Sequence, residues 1–314
     1  MDIFLIVVFF IMFAVPFLPA IIEILFKKDA QALNINMSLY KNPRYFGDSF
    51  FEIIHKGLQD AEGTDKILSL SKKKYRVELS SSPEEVFILD SDEINNLPDK
   101  FDNIVICSEN LTINRKKFFS KEIFVNGNLK TEEECFIRAI YINGFANLAN
   151  RINILRWLHI NNNLYINADA NVGVNCYCEE TTFVNAKVNF KKIYAKKILI
   201  HKQDESIDKK KSYNLDSVVN FNNLKINKSI IIANDNVVID GNIISDKAIT
   251  IDGDFWIKGD IFSQEQIILK NGVVVGEENK IKSVVGRENI YLGKNVVIYG
   301  YVSTEKSGLI DDNI

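Results

Sequence analysis

The chain has 314 residues and a net charge of −3, with 46% hydrophobic residues, 25% charged residues and five prolines. These values are ordinary for a globular protein and exclude a long Pro-rich disordered chain. The weakly negative charge also provides no global basic field, so nothing points to a nucleic-acid partner.

The N-terminal segment, residues 1–28, is predicted to anchor the chain in a membrane. About 20 apolar residues cross a bilayer, and residues 3–26 contain one charge, Glu23, close to their end. Lys27 and Lys28 follow, so the positive-inside rule places the bulk of the chain in the cytoplasm, in a single-pass protein of the cell membrane. The predicted anchor residues include Ile3, Phe10, Pro16, Pro19 and Phe26.

The alternative interpretation of this segment is a cleaved secretory signal. Ala30-Gln31-Ala32 resembles a cleavage site. However, no Lys or Arg precedes the apolar run, and the run is longer than the usual core of a signal peptide. An uncleaved anchor therefore fits the pattern better.

The juxtamembrane segment, residues 29–64, is predicted to contain a short amphipathic helix. Ser49 and Glu52 have the spacing of a capping box, and Gly63 is a plausible end. Two interpretations stay open: the helix lies on the inner leaflet, or it packs its apolar side on the first turn of the domain that follows. The first makes these residues the membrane interface: Lys27, Lys28, Arg44, Tyr45 and Phe46.

Residues 65–98 are interpreted as a small cap. Residues 75–79 alternate as a half-buried strand does, and residues 85–89 form another apolar run. Winding folds need such atypical first segments because a bare first turn exposes strand edges. The basic run 72–74 is read as a solvated turn or as a contact with anionic lipid.

Residues 99–303 contain a repeat that predicts a parallel β-helix. Residues 237–245 and 255–263 share one pattern, with Gly241 and Gly259 18 residues apart, and residues 296–303 carry a third copy. A short period of apolar strand and Gly corner is typical of a solenoid, here with turns of about 18 residues. Asn and Gly between the strands are expected to accept left-handed backbone at the corners. Two segments fall outside the repeat, a charged loop at 201–212 and a short tail at 304–314.

Candidate catalytic groups are sparse along the repeat. Four acids lie next to glycines, at Asp240, Asp252, Asp254 and Asp260. They could form the catalytic acidic cluster of a polysaccharide-degrading β-helix enzyme. However, Asp beside Gly commonly stabilises a turn through bonds to its own backbone. Three histidines lie outside any nucleophile motif. The four cysteines are unevenly spaced and lack matching ligand pairs, so we expect buried thiols and no metal, cofactor or disulfide framework.

Residues 249–261 and 267–276 alternate I-x-I-x-G with v-x-G-x-I and resemble the bactofilins, a family of polymer-forming bacterial cytoskeletal proteins. Residues 34–47, with Lys41-x-Pro43-Arg44-Tyr45-Phe46-Gly47, are similar to membrane-anchored relatives of that family. The resemblance implies a right-handed, three-faced β-helix, end-to-end assembly without nucleotide and scaffolding at the inner membrane. It implies no catalytic residues.

The sequence therefore predicts an all-β protein that acts as a non-catalytic, membrane-anchored scaffold. Its expected partners are further copies of itself, membrane lipid and cell-envelope proteins. Self-association is expected at the unpaired strand edge of the last turn, at Val296, Val297, Ile298 and Val302. The alternative is an exported β-helix enzyme or binding protein that acts on polysaccharide.

Overall fold

A computed structural model of the chain describes residues 42–62, 73–79, 82–200, 218–220, 224–226, 230–233, 237–311 and 313–314. The described residues from Pro43 onward belong to one compact unit. The predicted anchor at 1–28, the basic pair Lys27 and Lys28 and the predicted loop at 201–212 lie outside the described residues. Among those that are described, no helix is both long and apolar enough to cross a membrane.

The described residues form two helices and 28 strands. The helices are α1 (Tyr45–Glu62) and α2 (Ser91–Asn96). The strands up to residue 200 are β1 (Lys73–Leu79), β2 (Ser82–Ile88), β3 (Lys100–Phe101), β4 (Ile104–Cys107), β5 (Leu111–Ile113), β6 (Lys117–Val125), β7 (Leu129–Thr131), β8 (Cys135–Ile142), β9 (Ala146–Leu148), β10 (Ile152–Ile160), β11 (Leu164–Ile166), β12 (Ala170–Asn171), β13 (Asn175–Cys178), β14 (Thr181–Val184) and β15 (Val188–Ile200).

The remaining strands are β16 (Val218–Asn220), β17 (Leu224–Ile226), β18 (Ile230–Ala233), β19 (Val237–Asp240), β20 (Ile243–Ser245), β21 (Ile249–Asp252), β22 (Phe255–Ile257), β23 (Ile261–Ser263), β24 (Ile267–Leu269), β25 (Val274–Val275), β26 (Lys282–Gly286), β27 (Ile290–Leu292) and β28 (Val297–Ile310). We call β3–β15 the first coil and β16–β28 the second coil.

Both coils are parallel β-solenoids. Val105 pairs with Ile123, and Ile123 pairs with Ile140, so equivalent residues are 18 and 17 positions apart. The coils together make about ten turns, and this confirms the predicted solenoid and its period. One turn is longer, because Val274 pairs with Val297 across an inserted hairpin that contains the Glu277–Lys280 bridge.

The core lies inside the coils and follows the alternation of the strands. In β22, Phe255 and Ile257 are buried while Trp256 points outward and is half-buried. Equivalent inward residues stack from turn to turn at the spacing of paired strands, about 4.8 Å. One continuous hydrophobic cluster runs through both coils, and its burial, at about 25 cal/mol per Å² of apolar surface, supplies most of the stabilisation.

The corners hold asparagine ladders where left-handed asparagines were expected. Asn143 Nδ2 donates to Asn126 Oδ1 at 3.3 Å, and Asn161 Nδ2 donates to Asn143 Oδ1 at 3.0 Å. Among the described residues other than glycine, positive φ occurs at Asn279 and Asn295. The expectation of left-handed backbone was therefore wrong for Asn126, Asn143 and Asn161, whose side chains bond along the rod axis. It was right for Asn295 and for glycines such as Gly241 and Gly253, which have positive φ.

The start of the first coil is covered by β1, β2 and α2, and the predicted bounds of the cap, 65–98, stay a prediction. Strand β2 pairs with β1 on one side and with β4 on the other. Helix α2 buries Ile94 in the core, and its N-terminus has a capping box of Asp90 and Glu93 that sequence reasoning overlooked. The buried Lys117 ammonium donates to the carbonyls of Asn95 and Leu97, which satisfies the end of this helix.

The two coils meet end to end through an antiparallel strand pair. Strand β15 ends the first coil, β28 ends the second, and their register runs from Val188 opposite Ile310 to Leu199 opposite Val297. An ion pair between Lys187 and Asp311, at 3.0 Å, closes one end of this junction. The second coil therefore winds back toward the first, and the core continues across the junction.

This junction corrects the expectation of a free strand edge at the last turn. Val296, Ile298 and Val302 are buried, and Val297 lies opposite Leu199 of β15. Residues 304–310 of the predicted tail belong to β28 and complete the turn. The edge that was assigned to self-association is paired within the chain.

Replacing Ile257 by Asp is expected to destabilise the second coil by more than about 4 kcal/mol, because a carboxylate would lose its hydration inside the stack. The measurement is thermal unfolding of the detergent-purified chain, followed by circular dichroism. The matched control is Thr250→Asp on the outward side of β21. Equal unfolding temperatures for the two variants would contradict the inward placement of Ile257.

Candidate docking site for the N-terminal helix

An aromatic ladder runs along the outside of the first coil. The parallel register places one ring above the next on β6, β8, β10, β13 and β15, and the antiparallel junction adds a ring from β28. Successive ring centroids are 5.0, 5.0, 4.7, 5.4 and 6.1 Å apart, with interplanar angles between 6° and 22°. The members of this aromatic ladder are Phe124, Tyr141, His159, Tyr177, Tyr194 and Tyr301.

Helix α1 lies over the first four rings of the ladder. Each of those rings is at most 4% exposed. Phe50 and Ile54 of the helix are buried and form a second hydrophobic cluster with outward residues of β2 and β4. The rings of Phe50 and Phe124 meet edge to face, with centroids 6.4 Å apart. The outer surface of this face is thus a second core, separate from the one inside the coil.

The residues just before α1 contact the turn that contains β13. Asn175 Nδ2 donates to the carbonyl of Pro43 at 3.3 Å. Arg44 lies 5.7 Å from the Tyr177 ring centroid and forms an ion pair with Glu179 at 3.3 Å. Burial raises the pKa of the Tyr177 hydroxyl, which donates to Glu179. Pro43 and Arg44 therefore attach the start of the helix to the first coil.

Phe46 and Gly47 complete this contact. The Phe46 ring stacks on Trp157 with centroids 5.1 Å apart and on Phe50 at 5.4 Å. Gly47 lies directly against the His159 ring, and a methyl group added there would overlap the ring atoms. A residue without a side chain is required at this position because the helix backbone approaches the ring closely.

Helix α1 packs its apolar side on the coil, as the second interpretation expected, and Arg44 and Phe46 take part in that contact. The assignment of Lys27, Lys28, Arg44, Tyr45 and Phe46 to a membrane interface stays a prediction. Tyr45 is 51% exposed. The helix begins at Tyr45, so the predicted capping box at Ser49 was wrong, and it ends at Glu62, next to the predicted stop. The signal that could have located the docking surface is the row of outward aromatic residues at spacings of 17 or 18 residues.

His159 is a buried, neutral member of the ladder. Its Nε2 lies 3.0 Å from Asn161 Oδ1, and since Asn161 Nδ2 donates to Asn143, that oxygen accepts from Nε2–H. The Nδ1 atom has no hydrogen-bond partner among the described residues. Burial lowers the pKa of His159 from 6.5 to about 4.

Two of the candidate acids, Asp240 and Asp260, bond to residues of a neighbouring turn, and the candidate thiols are buried. Asp240 forms an ion pair with Lys258 at 3.4 Å, and Asp260 accepts from the backbone and hydroxyl of Ser283 at 2.7 and 2.8 Å. All four cysteines are buried and unpaired with one another. Burial raises the pKa of Cys107 to about 11. Within the described ranges, no group of three or more His, Cys, Asp or Glu side chains could hold a metal ion.

Searches with this chain found no matching protein-family model, curated protein or solved structure. The bactofilin resemblance of residues 249–276 is therefore a resemblance between sequence patterns. The fold is known from the structure alone, and the function has to be argued from the arrangement of the described residues.

Replacing Gly47 by Val is expected to loosen α1 from the ladder, because overpacking against the His159 ring costs about 1–3 kcal/mol. Amide hydrogen exchange in α1 should then accelerate by roughly 10- to 100-fold. Glu52→Val, at an exposed position of the same helix, is the control. Unchanged exchange in the Gly47 variant would contradict the close contact.

His159 should make stability depend on pH. The unfolded chain takes up a proton near pH 6.5, but the folded chain does so only near its lowered pKa of about 4. Stability is therefore complete above pH 6.5 and falls, by roughly 3 kcal/mol, as the pH drops to 4. Asp48 and Glu179 raise this pKa and Arg44 lowers it.

The measurement is urea unfolding of the wild-type chain and of His159→Phe at a series of pH values. The Phe variant keeps an aromatic ring in the ladder and has nothing to protonate. The free energy of unfolding of this variant should fall less between pH 6.5 and pH 4 than that of the wild-type chain. If the free energy of unfolding changed equally with pH in the two proteins, His159 would not be the cause of the pH dependence.

Proposed function

We propose that this chain is a non-catalytic scaffold, a right-handed β-solenoid rod tethered to the cytoplasmic face of the cell membrane. The supporting observation is the docking of residues 43–54 on the flank of the first coil. The apolar segment 3–26 lies shortly before this motif in the chain. Residues 43–54 would then join the tether to the rod.

The continuous core supports a rigid structural role. Ten turns at about 4.8 Å per turn give a rod about 50 Å long. The junction of β15 and β28 joins its halves through backbone pairing and one shared hydrophobic cluster. Extended solenoids of this kind present long surfaces to partners. Cell-envelope proteins are candidates for such partners.

Self-association is proposed at the start of the second coil, because β28 is already paired. Strands β16, β17 and β18 pair with β19, β20 and β21 on one side. Among the described strands, none pairs with their other side. An open strand edge can pair with a second chain, and the junction supports this mode because two coil ends already pair there within one molecule.

Topology and size of the full-length chain test the proposal. A C-terminal reporter should be active in the cytoplasm, the protein should stay in the membrane fraction after alkaline washing, and deletion of residues 1–28 should release it. Sedimentation of the detergent-solubilised chain should show self-association. A reporter active only outside the cell would favour the exported polysaccharide-active protein, and a monomer at every concentration would contradict self-association.

A further inference from the structure

A second surface of the first coil combines basic and aliphatic side chains. It lies at the corner that precedes the face with the aromatic ladder. Strand β10 has a bulge there, between Ile154 and Trp157, and β15 has another between Phe190 and Lys192. Bulges turn side chains outward at such corners. Four successive turns place their corner residues side by side. We call these residues the basic ridge: Arg138, Leu155, Arg156, Val174, Lys191 and Lys192.

The basic ridge combines cations with exposed aliphatic side chains. Leu155 is 53% exposed and Val174 is 44% exposed. The cations are one or two per turn on three of the four turns, and acids lie on the adjoining turns at Glu122 and Glu305. Glu122, on the preceding turn, forms an ion pair with Arg138 at 3.4 Å. Cations that flank exposed aliphatic groups are typical of surfaces that rest at a membrane interface.

The chain from the apolar N-terminal segment reaches the described structure beside this ridge. Asn175, which binds the carbonyl of Pro43, is the neighbour of Val174. Residues 27–42 lie between the apolar segment and this point, and sixteen residues span at most about 55 Å. The four turns of the ridge cover only about 15 Å between the first and the last. A tether of this length allows the whole ridge to reach the surface in which the segment is anchored.

We propose that the basic ridge rests on anionic phospholipid headgroups, so that the first coil lies along the membrane instead of projecting from it. The proposal rests on the membrane tether of the proposed function. A lipid surface fits better than a nucleic acid, because single-stranded nucleic acids stack their bases on aromatic side chains, whereas the outermost apolar groups of the ridge are aliphatic. Leucine and valine enter the boundary between headgroups and acyl chains.

Depth-dependent quenching in proteoliposomes tests this contact. The full-length chain carries a single added cysteine, labelled with an environment-sensitive dye, at Leu155→Cys. The control is Phe145→Cys, at a 41% exposed position on a different corner. The four native cysteines are buried, so the added thiol reacts selectively. Vesicles contain phosphatidylcholine alone or mixed with phosphatidylglycerol, each with a spin-labelled lipid as quencher.

In the anionic vesicles, quenching at position 155 should exceed quenching at position 145 by at least about twofold, because only the ridge lies at the surface. It should fall by at least about half in 1 M salt, where the Debye length is about 3 Å. The combined variant Arg156→Glu, Lys191→Glu and Lys192→Glu should also lose the excess quenching at position 155. These side chains are exposed, and unchanged thermal unfolding would show that the variant is folded.

The outcomes separate this inference from the proposed function. A chain that fails to float with vesicles of either composition contradicts the membrane tether itself. A chain that floats but shows equal quenching at positions 155 and 145 overturns the ridge contact alone. Equal quenching at position 155 in the neutral and anionic vesicles overturns the preference for anionic lipid. Binding of an RNA homopolymer to the ridge, without quenching in vesicles, would reassign it to polyanions and overturn the lipid contact.

Discussion

The parallel register between successive turns is the constraint on which the rest of the structure depends. It places each side chain about 4.8 Å from its equivalent on the next turn, so any chemistry that suits one turn is repeated as a column along the rod. The inward columns form the core, the corner columns form amide ladders, and one outward column stacks six rings. A shift of one residue in a single turn would exchange inward and outward columns together.

The sequence was sufficient to predict the winding because the winding is repetitive. The alternation of Phe255, Trp256 and Ile257 indicates which side chains point inward, and the glycine spacing indicates the number of residues in a turn. The corner asparagines were misread because a side-chain ladder and a left-handed backbone select the same residue type. Only the folded structure distinguishes Asn143, which bonds to Asn126, from Asn279, which has positive φ.

The junction and the docking site could not be predicted for a different reason. Antiparallel pairing of β15 with β28 joins strands that are about one hundred residues apart and share no repeat position. Helix α1 has an apolar side in its sequence, but that pattern does not name the surface that covers it. Complementarity appears only in three dimensions: Arg44 over Tyr177, Phe46 on Trp157 and the bare backbone of Gly47 on His159. Since each turn carries different outward side chains, this set fixes the helix at one position along the rod.

The junction also sets the order in which the molecule can be completed during synthesis. Strand β15 is synthesised long before β28. Until the second coil is made, the first coil therefore has an unpaired strand edge and an exposed core at this end. Pairing across such a sequence distance is slow, and an open edge recruits other chains. A nascent or truncated chain that lacks residues 297–310 is therefore an unfinished fold with an aggregation-prone end. Pairing with β28 therefore protects the end of the first coil from such association.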